Sequence, residues 1–169
     1  MSRREPIETE RLIVRLPEEA DRQRFVELWT DDEFQVFSPG TFDVTGANVR
    51  FDRMLERAAE LTFAKQPIVE RSTGRILGYT GVDTFEFEGE TRLEYGYRLD
   101  TSARGKGYAT EAGQALLAHA SQVWEGELLA MIDPRNDASR NVLGKLGFEF
   151  WKQDLVEGFV DDLFRRRLP

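Results

Sequence analysis

The chain has 169 residues, a formal net charge of −8 from 23 Lys+Arg and 31 Asp+Glu, a single histidine, His119, and no cysteine. The lack of cysteine excludes thiol nucleophiles, Cys-ligated zinc and iron–sulfur clusters, and one histidine excludes a helix that binds metal through two, so we predict no metal. The negative charge opposes non-specific binding to nucleic acid or to an anionic membrane, so we predict neither partner, and it favours cationic partners such as amines.

The first third of the chain predicts a strand followed by two helices. Residues 12–16 form a short run rich in strand-forming residues that Pro17 ends, which is typical of a strand. Residues 18–29 place apolar side chains on one helical stripe, and a longer stripe follows Thr45 at offsets that suit a second helix. Because threonine is a good N-cap residue, we expect this second helix to begin at Thr45.

The middle of the chain, residues 67–100, predicts an antiparallel meander of three strands. Short alternating segments are separated there by turn signals at residues 72–74 and 88–90. In the third strand, Glu94 is expected to face away from four apolar or aromatic residues: Leu93, Tyr95, Tyr97 and Leu99. Gly96, in the middle of this strand, suggests a β-bulge.

The last third of the chain predicts two helices and three strands. In chain order they are a helix over residues 109–124, a buried strand over 127–133, a helix over 137–146 and strands over 148–152 and 159–167. Gly147 suits the C′ position after the second helix. His119 falls on the apolar stripe of the first helix, so we expect it to pack in the core. The whole chain thus predicts about seven strands and four helices in an α/β or α+β arrangement.

The chain is predicted to form one domain, because residues 1–169 contain no repeat, low-complexity tract or linker. The N-terminal sequence MSRREP is not followed by an apolar stretch, so we expect no secretory signal. The longest uninterrupted apolar run, residues 128–132, is far shorter than the about 20 residues that span a bilayer. A cytoplasmic location is therefore predicted.

The segment TSARGKGYAT, residues 101–110, joins the third meander strand to the next helix and is suited to bind an anion. Gly105 and Gly107 allow the backbone to approach a ligand closely, so that amides at the start of the helix point at it. Arg104 and Lys106 add positive charge in an acidic chain. On these residues alone, a glycine-rich turn that only caps the helix stays open as an alternative.

Two familiar phosphate-binding motifs do not fit this segment. A P-loop needs glycine where Asp100 stands and serine or threonine where Gly107 stands. A dinucleotide-binding fingerprint needs glycine or alanine where Thr110 stands. The segment is therefore not predicted to hold a nucleotide in either of these ways.

The sequence RGKGYA, residues 104–109, resembles the acetyl-CoA pyrophosphate loop R/Q-x-x-G-x-G/A of the GNAT acetyltransferase superfamily. Further segments, in the family's order, resemble its ribosomal-protein-alanine (RimJ/RimL-like) branch: residues 8–16, 76–81, 93–97, 136–139 and 146–148. The similarity covers nearly the whole chain. It implies a GNAT-like fold, with a central, mostly antiparallel twisted sheet of about seven strands and about four flanking helices, and acetyl-CoA as the cofactor.

The resemblance also implies which residues bind the cofactor. The backbone of Tyr97 and Leu99, on the strand before the loop, pairs with the pantetheine arm, as an added strand would. Backbone amides of the loop hold the pyrophosphate, which involves Arg104, Gly105, Lys106, Gly107, Tyr108 and Ala109. Asn136 hydrogen bonds the cofactor arm and Ser139 lies near the thioester sulfur, although both residue types are also common N-caps.

The chemistry implied by the resemblance is direct attack of a neutral amine on the thioester. Many GNAT enzymes place a tyrosine, the general acid, seven residues after the position of Asn136, and Leu143 stands there instead. Ser139 is the expected substitute and Tyr108 a weaker one. Glu94 is the expected general base, directly or through water, although a solvated strand glutamate is the alternative.

Two further carboxylates, Asp154 and Glu157, could reach the same cleft. The aromatic residues Trp29, Phe34 and Phe37 lie in a segment that shapes the acceptor site in similar proteins.

These features predict an N-acetyltransferase that acts on a primary amine, either a protein N-terminal α-amine or a small molecule. One alternative is a non-catalytic acyl-CoA-binding or sensor module, which the replacement of the usual tyrosine by Leu143 supports. The other is an acyltransferase that uses a longer acyl-CoA. A homodimer is the assembly expected from similar proteins.

Overall fold

The computed structural model describes residues 5–38 and 40–169. These residues form one sheet of eight strands: β1 (Ile7–Glu8), β2 (Leu12–Val14), β3 (Gln66–Glu70), β4 (Ile76–Phe87), β5 (Glu90–Leu99), β6 (Gly126–Ile132), β7 (Glu149–Val156) and β8 (Phe159–Leu168). Four α-helices accompany the sheet: α1 (Arg22–Trp29), α2 (Val44–Glu60), α3 (Tyr108–Ala120) and α4 (Asp137–Lys145). Two 3-10 turns, Glu19–Asp21 and Thr101–Ala103, precede α1 and follow β5.

The sheet runs in the order β1-β2-β3-β4-β5-β6-β8-β7, and its strand pairs are antiparallel except for β5 and β6. Those two strands run parallel and pair at a single position, Glu94 with Leu129. Beyond that position β5 and β6 continue without pairing with each other, so the sheet opens between them. The predicted mostly antiparallel fold is confirmed, with β1 as an additional strand whose two residues are too few for a sequence signal.

Helices cover the two faces of the sheet in pairs. Helices α1 and α2 pack on one face, where their apolar side chains meet Val69, Ile76 and Tyr79. Helices α3 and α4 pack on the other face, in a larger cluster that includes Tyr95 and Leu99. Because side chains alternate along a strand, the odd-numbered residues of β5 face α3 and α4, and the even-numbered residues face α1 and α2. Among the described residues, no helix is long and apolar enough to cross a membrane.

Three local predictions need correction. Helix α2 begins after Asp43 rather than Thr45, because the Asp43 Oδ1 accepts a hydrogen bond of 2.6 Å from the Gly46 amide. The pairing of β4 with β5 is continuous through Gly96, so no bulge lies there; a register shift lies between Ile68 and Val69 instead.

His119 is exposed rather than packed, because the buried stripe of α3 turns away from it toward Leu117 and Ala120. Gly147, by contrast, follows α4 with a φ of +77°, as predicted. Residues 1–4, which begin the segment judged for a secretory signal, lie outside the described residues.

Gly113 marks the closest approach of α3 to the sheet. A Cβ atom there would lie 2.6 Å from the Tyr95 hydroxyl and 2.8 Å from a methyl group of Leu146. Tyr95 cannot yield easily, since its ring stacks on Phe148 at 5.5 Å and its hydroxyl hydrogen bonds Thr80 at 3.0 Å. The absence of a side chain at this position therefore lets the helix settle on β5.

We expect Gly113→Ala to lower the free energy of unfolding by about 1–2 kcal/mol, because overpacking outweighs the gain of about 1 kcal/mol in helix propensity. The midpoint of thermal unfolding should fall by about 2–8 °C. Gly144→Ala in α4 is the matched control, since a Cβ atom there meets no atom within 4 Å. It should raise stability by up to about 1 kcal/mol. Equal midpoints for the two variants would contradict this account of Gly113.

Candidate active site

A cleft of about 940 Å³ opens where β5 and β6 part. Its walls come from the open ends of the two strands, the start of α4, the α1–α2 connection and the turn between β7 and β8. Side chains from both faces of β5 reach it, including Glu94, Tyr97 and Arg98. The cleft thus connects the α1/α2 side of the sheet with the α3/α4 side.

The glycine loop leads directly into the first turn of α3. Gly105 and Gly107 have φ values of +71° and +81°, in the left-handed region that favours glycine, and Gly107 is the N-cap of the helix. The N-cap has no side chain, and amides in the first turn of a helix have no intrahelical partner. This turn therefore presents amides and the positive end of the helix dipole, which fits the pyrophosphate of a coenzyme A.

A lack of room for a side chain does not explain why glycine stands at these two positions. A Cβ atom at Gly105 would meet nothing within 4 Å, and one at Gly107 only the end of the Arg11 side chain at 3.4 Å. Conformation is the constraint at both positions, because residues other than glycine rarely adopt these positive φ values.

Arg11 braces this loop from the N-terminal segment. Its Nη1 donates to the carbonyl of Lys106 at 2.9 Å, and its guanidinium lies 4.5 Å from the centre of the Tyr108 ring. Glu111 holds Arg11 in place by accepting from its Nε at 2.8 Å and its amide at 2.9 Å. The sequence did not single out Arg11, because the contact joins positions far apart in the chain.

We expect Arg11→Ala to raise the Kd for acetyl-CoA by about 3–10-fold, since a lost hydrogen bond to the loop costs about 0.5–1.5 kcal/mol. Calorimetric titration measures the change. The control is Arg71→Ala: in the part of the chain that the structure describes, the Arg71 side chain donates to the nearby Thr9 carbonyl at 2.7 Å and pairs with Glu8, and it does not bond to the loop. If both variants bind acetyl-CoA as the wild type does, the loop does not depend on this brace.

The basic side chains of the loop have different surroundings. Arg104 turns back, donating from Nε to the Leu99 carbonyl at 3.1 Å and from Nη2 to the Glu33 carbonyl at 3.0 Å. Lys106 is exposed. The Leu99 side chain is buried in the core, and of the two strand residues predicted to pair with the cofactor, only Tyr97 lines the cleft. Arg104 thus connects the loop to the end of β5.

Tyr108 and Ala109, the first residues of α3, are buried with the core cluster. The Tyr108 hydroxyl donates to Glu70 at 2.9 Å, and this hydrogen bond raises the pKa of the phenol. Tyr108 does not line the cleft. Its side chain packs, and a role as the acid has no support from its position.

Ser139 and Tyr97 form a hydrogen-bonded pair in the cleft, with their hydroxyl oxygens 2.9 Å apart. Asn136 caps α4 by accepting from the Ser139 amide at 3.1 Å, so the helix start positions Ser139. Leu143, at the position of the usual acid, is buried. Burial raises the pKa of Tyr97 against the opposing effect of the Ser139 hydrogen bond. The phenol therefore stays protonated at neutral pH and can donate.

Glu94 lines the cleft on the face of β5 opposite to Tyr97, and its backbone forms with Leu129 the one pair that joins β5 to β6. Its Oε2 lies 3.3 Å from the Nζ of Lys65, a residue of the connection between α2 and β3 that the sequence did not indicate. Burial disfavours the Lys65 ammonium, but the charge of Glu94 leaves the pKa of Lys65 above its ordinary value. Lys65 therefore stays a cation and holds the Glu94 carboxylate in the cleft.

Other carboxylates approach the cleft from the β7–β8 hairpin. Asp161 and Glu157 line it, and the pKa of Asp161 is raised by burial and then by the charge of Asp133 and other neighbouring carboxylates. Asp154 does not line the cleft and pairs with Lys152 at 2.8 Å. Of the two additional carboxylates considered from the sequence, only Glu157 reaches this site.

Of the three aromatic residues expected at the acceptor site, one lines the cleft and two lie in the core. Trp29 and Phe34 are each 1% exposed and pack in the core, with ring centres 6.3 Å from that of Tyr79. Neither lines the cleft, whereas the more exposed Phe37 does. Large aromatic rings gain most from complete burial, so two of the three lie behind the wall of the cleft rather than in it.

Comparison with known proteins agrees with this geometry. A sequence model of the acetyltransferase (GNAT) domain matches residues 11–149. The uncharacterised protein YkkB of Bacillus subtilis is 36% identical over 84 residues, 49% of each chain, so the match spans about half the length of that relative. The uncharacterised N-acetyltransferase p20 of Bacillus licheniformis is 28% identical over 159 residues, 92% of this chain and 87% of that protein.

Among solved structures, the ribosomal-protein-S5-alanine acetyltransferase of Vibrio fischeri has a TM-score of 0.78 at 20% sequence identity. The superposition covers 98% of this chain and 97% of that one. At this identity the likeness shows a shared fold.

Proposed function

The chain belongs to the GNAT acetyltransferase family, and we propose that it transfers the acetyl group of acetyl-CoA to a primary amine, as an enzyme of the RimJ/RimL-like type. One observation carries the proposal: β5, whose open edge forms a wall of the cleft, leads through a single 3-10 turn into the glycine loop at the start of α3. Acetyl-CoA supplies an acyl group already activated as a thioester. The remaining chemistry is the movement of protons, for which the cleft has suitable groups.

The cofactor-binding residues follow from this arrangement. Amides from Gly105 to Ala109 bind the pyrophosphate, and the unpaired edge of β5 at Tyr97 offers backbone hydrogen bonds to the pantetheine arm, as β-augmentation does. Asn136, at the opposite wall, contributes from the start of α4. Tyr97 and Asn136 both line the cleft, so an arm bound between them would bring the thioester toward the point where β5 and β6 part.

Glu94 takes the proton from the attacking amine on the α1/α2 side of β5. An α-amino group, with a pKa of about 7.7–8.0, is neutral in roughly a tenth of molecules at pH 7, whereas a lysine amine, with a pKa of about 10.4, is almost entirely charged. A base in the cleft is therefore useful for either acceptor. The ion pair with Lys65 keeps the carboxylate of Glu94 in place.

Tyr97 and Ser139 return a proton to the departing sulfur on the α3/α4 side. The carbon–nitrogen bond forms as the carbon–sulfur bond breaks, and the proton passes from the Tyr97 hydroxyl, through Ser139, to the thiolate. Tyr97 thus takes the role of the tyrosine that many GNAT enzymes have in α4 at the position of Leu143. Because Glu94 and Tyr97 lie on opposite faces of the same strand, the proton is withdrawn and returned on opposite sides of the reacting group.

Titration with acetyl-CoA, followed by thiol release in the presence of a panel of primary amines, tests the proposal. We expect binding that raises the unfolding midpoint, and turnover with at least one amine. Binding without turnover would favour a sensor module, and faster turnover with succinyl-CoA would favour a longer acyl donor. The absence of binding at millimolar acetyl-CoA would refute the function. The homodimer, the single domain and the cytoplasmic location stay predictions, open to gel filtration, limited proteolysis and cell fractionation.

A further inference from the structure

The acceptor side of the cleft contains a group of three cations, in a chain whose net charge is −8. Arg50 comes from α2, Lys65 from the α2–β3 connection and Arg98 from β5, and all three line the cleft around Tyr79. Burial opposes ionisation of Tyr79, yet the charges of these cations, with a hydrogen bond from Arg50, leave its pKa below the ordinary value. The potential on this side of the cleft is therefore positive.

Two of these cations have no carboxylate partner among the described residues. Arg98 is held by neutral groups, donating from Nη1 to the Gln35 Oε1 at 2.6 Å and to the Ser38 hydroxyl. Arg50 lies against aromatic rings, 5.3 Å from the centre of Trp29 and 5.0 Å from that of Phe42. Such contacts orient a guanidinium without neutralising it. Half-buried charges with oriented donors and no counter-ion are suited to an anionic ligand.

Another part of the same cleft is acidic. Glu94 and Asp161 face it, together with Glu157 in the β7–β8 turn. The Lys65–Glu94 ion pair marks the boundary between the two regions. The cleft therefore has a positive region and a negative region near the open edge of β5. A molecule that carries one charge of each sign would meet complementary charges at both of its ends.

We propose that the acceptor is an amine that also carries a carboxylate, as an amino acid does, with its amino group toward Glu94 and its carboxylate toward Arg50 and Arg98. This inference rests on the proposed function and specifies its substrate class. A polyamine would fit less well, because its second ammonium group would lie against the two arginines. The guanidinium forks, in contrast, match the two oxygens of a carboxylate.

The first experiment measures kcat/KM by thiol release for the twenty common amino acids, each as the free acid and as its amide, and for putrescine and spermidine. The best free acid should exceed its own amide by about 10-fold or more, as expected for a charged hydrogen bond. This ordering is informative because the amide has the more easily deprotonated amine. Amides or polyamines that equal or exceed the free acids would overturn the proposal.

The second experiment compares Arg50→Gln with Arg53→Gln. Arg53 is exposed on the same helix, so it is a matched control for the loss of one positive charge. We expect Arg50→Gln to lower kcat/KM for the free acid by about 10-fold or more and to leave the value for the amide unchanged. Arg53→Gln should alter neither. An equal loss for acid and amide in Arg50→Gln would assign Arg50 a structural role and overturn the proposal.

Calorimetry separates a failure of this inference from a failure of the function. Free acids and amides are titrated into the protein saturated with coenzyme A, where no turnover is needed. Tighter binding of the free acid, lost in Arg50→Gln, supports the anion site even if no amine is acetylated. If no free acid binds at millimolar concentration while other amines are acetylated, the substrate class is wrong and the acetyltransferase function stands.

Discussion

Replacing Tyr97 with phenylalanine is expected to lower kcat by about 100-fold and to change the Kd for acetyl-CoA by less than about twofold. In the proposed mechanism the phenol supplies the proton through its hydrogen bond with Ser139, and phenylalanine keeps the ring while removing that proton. Ser139→Ala should produce a similar loss, because the two hydroxyls act in sequence. If they do, the double variant should be little worse than either single variant. Steady-state kinetics and calorimetry together give these values.

Tyr95→Phe is the control for this pair. Tyr95 lies two positions earlier on the same face of β5, but its hydroxyl hydrogen bonds Thr80 rather than Ser139. The control should lose some stability and retain kcat at temperatures well below its unfolding midpoint. Unchanged kcat in Tyr97→Phe, or full additivity in the double variant, would remove the pair from the mechanism and leave water as the proton source.

Replacing Glu94 with glutamine is expected to lower kcat/KM for an α-amine acceptor by about 100-fold near pH 7. The size of the loss should depend on pH. Near neutrality most of the acceptor is an ammonium ion that needs a base, whereas above the pKa of the amine, about 8 for the N-terminal amine of a peptide, it is already neutral. The ratio of wild-type to variant activity should therefore decrease as the pH rises from 6 to 9. Glutamine keeps the shape of the side chain, so acetyl-CoA binding should persist.

Glu86→Gln is the control for the loss of a carboxylate, since Glu86 is an exposed residue of the neighbouring strand β4 and does not line the cleft. It should behave as the wild type does at every pH. A pH-independent ratio for Glu94→Gln would mean that Glu94 positions the acceptor or Lys65 without accepting a proton. The next candidates for the base would then be Asp161 and Glu157.

The sequence was most informative where a residue type is required by local geometry. Gly105 and Gly107 could be recognised because their positive φ values suit few other residues, and the alternation of β5 predicted that Glu94 faces away from Tyr97. The sequence alone does not indicate the Tyr97–Ser139 pair, because it depends on how the start of α4 meets β5 in the folded chain.

The site residues that the sequence does not indicate are brought to the cleft or the loop by long-range contacts. The roles of Lys65, Arg50 and Arg11 depend on which strand or loop each side chain meets in the folded chain, and no local pattern indicates those contacts. Only the folded structure brings the cations together in one part of the cleft. The net charge of the chain, in contrast, suggested a cationic acceptor. Composition averages over surfaces that the fold keeps apart.

The single pair between Glu94 and Leu129 has a consequence for the lifetime of the protein. Among the described residues, the β6–β8–β7 part of the sheet pairs with the other five strands at this one position, so few backbone hydrogen bonds cross the centre of the sheet. A cofactor arm bound along β5 would complete the sheet and add stability that grows with the logarithm of its concentration. The population open to proteases would then decrease as the acetyl-CoA supply of the cell increases, which couples the abundance of the enzyme to its own substrate.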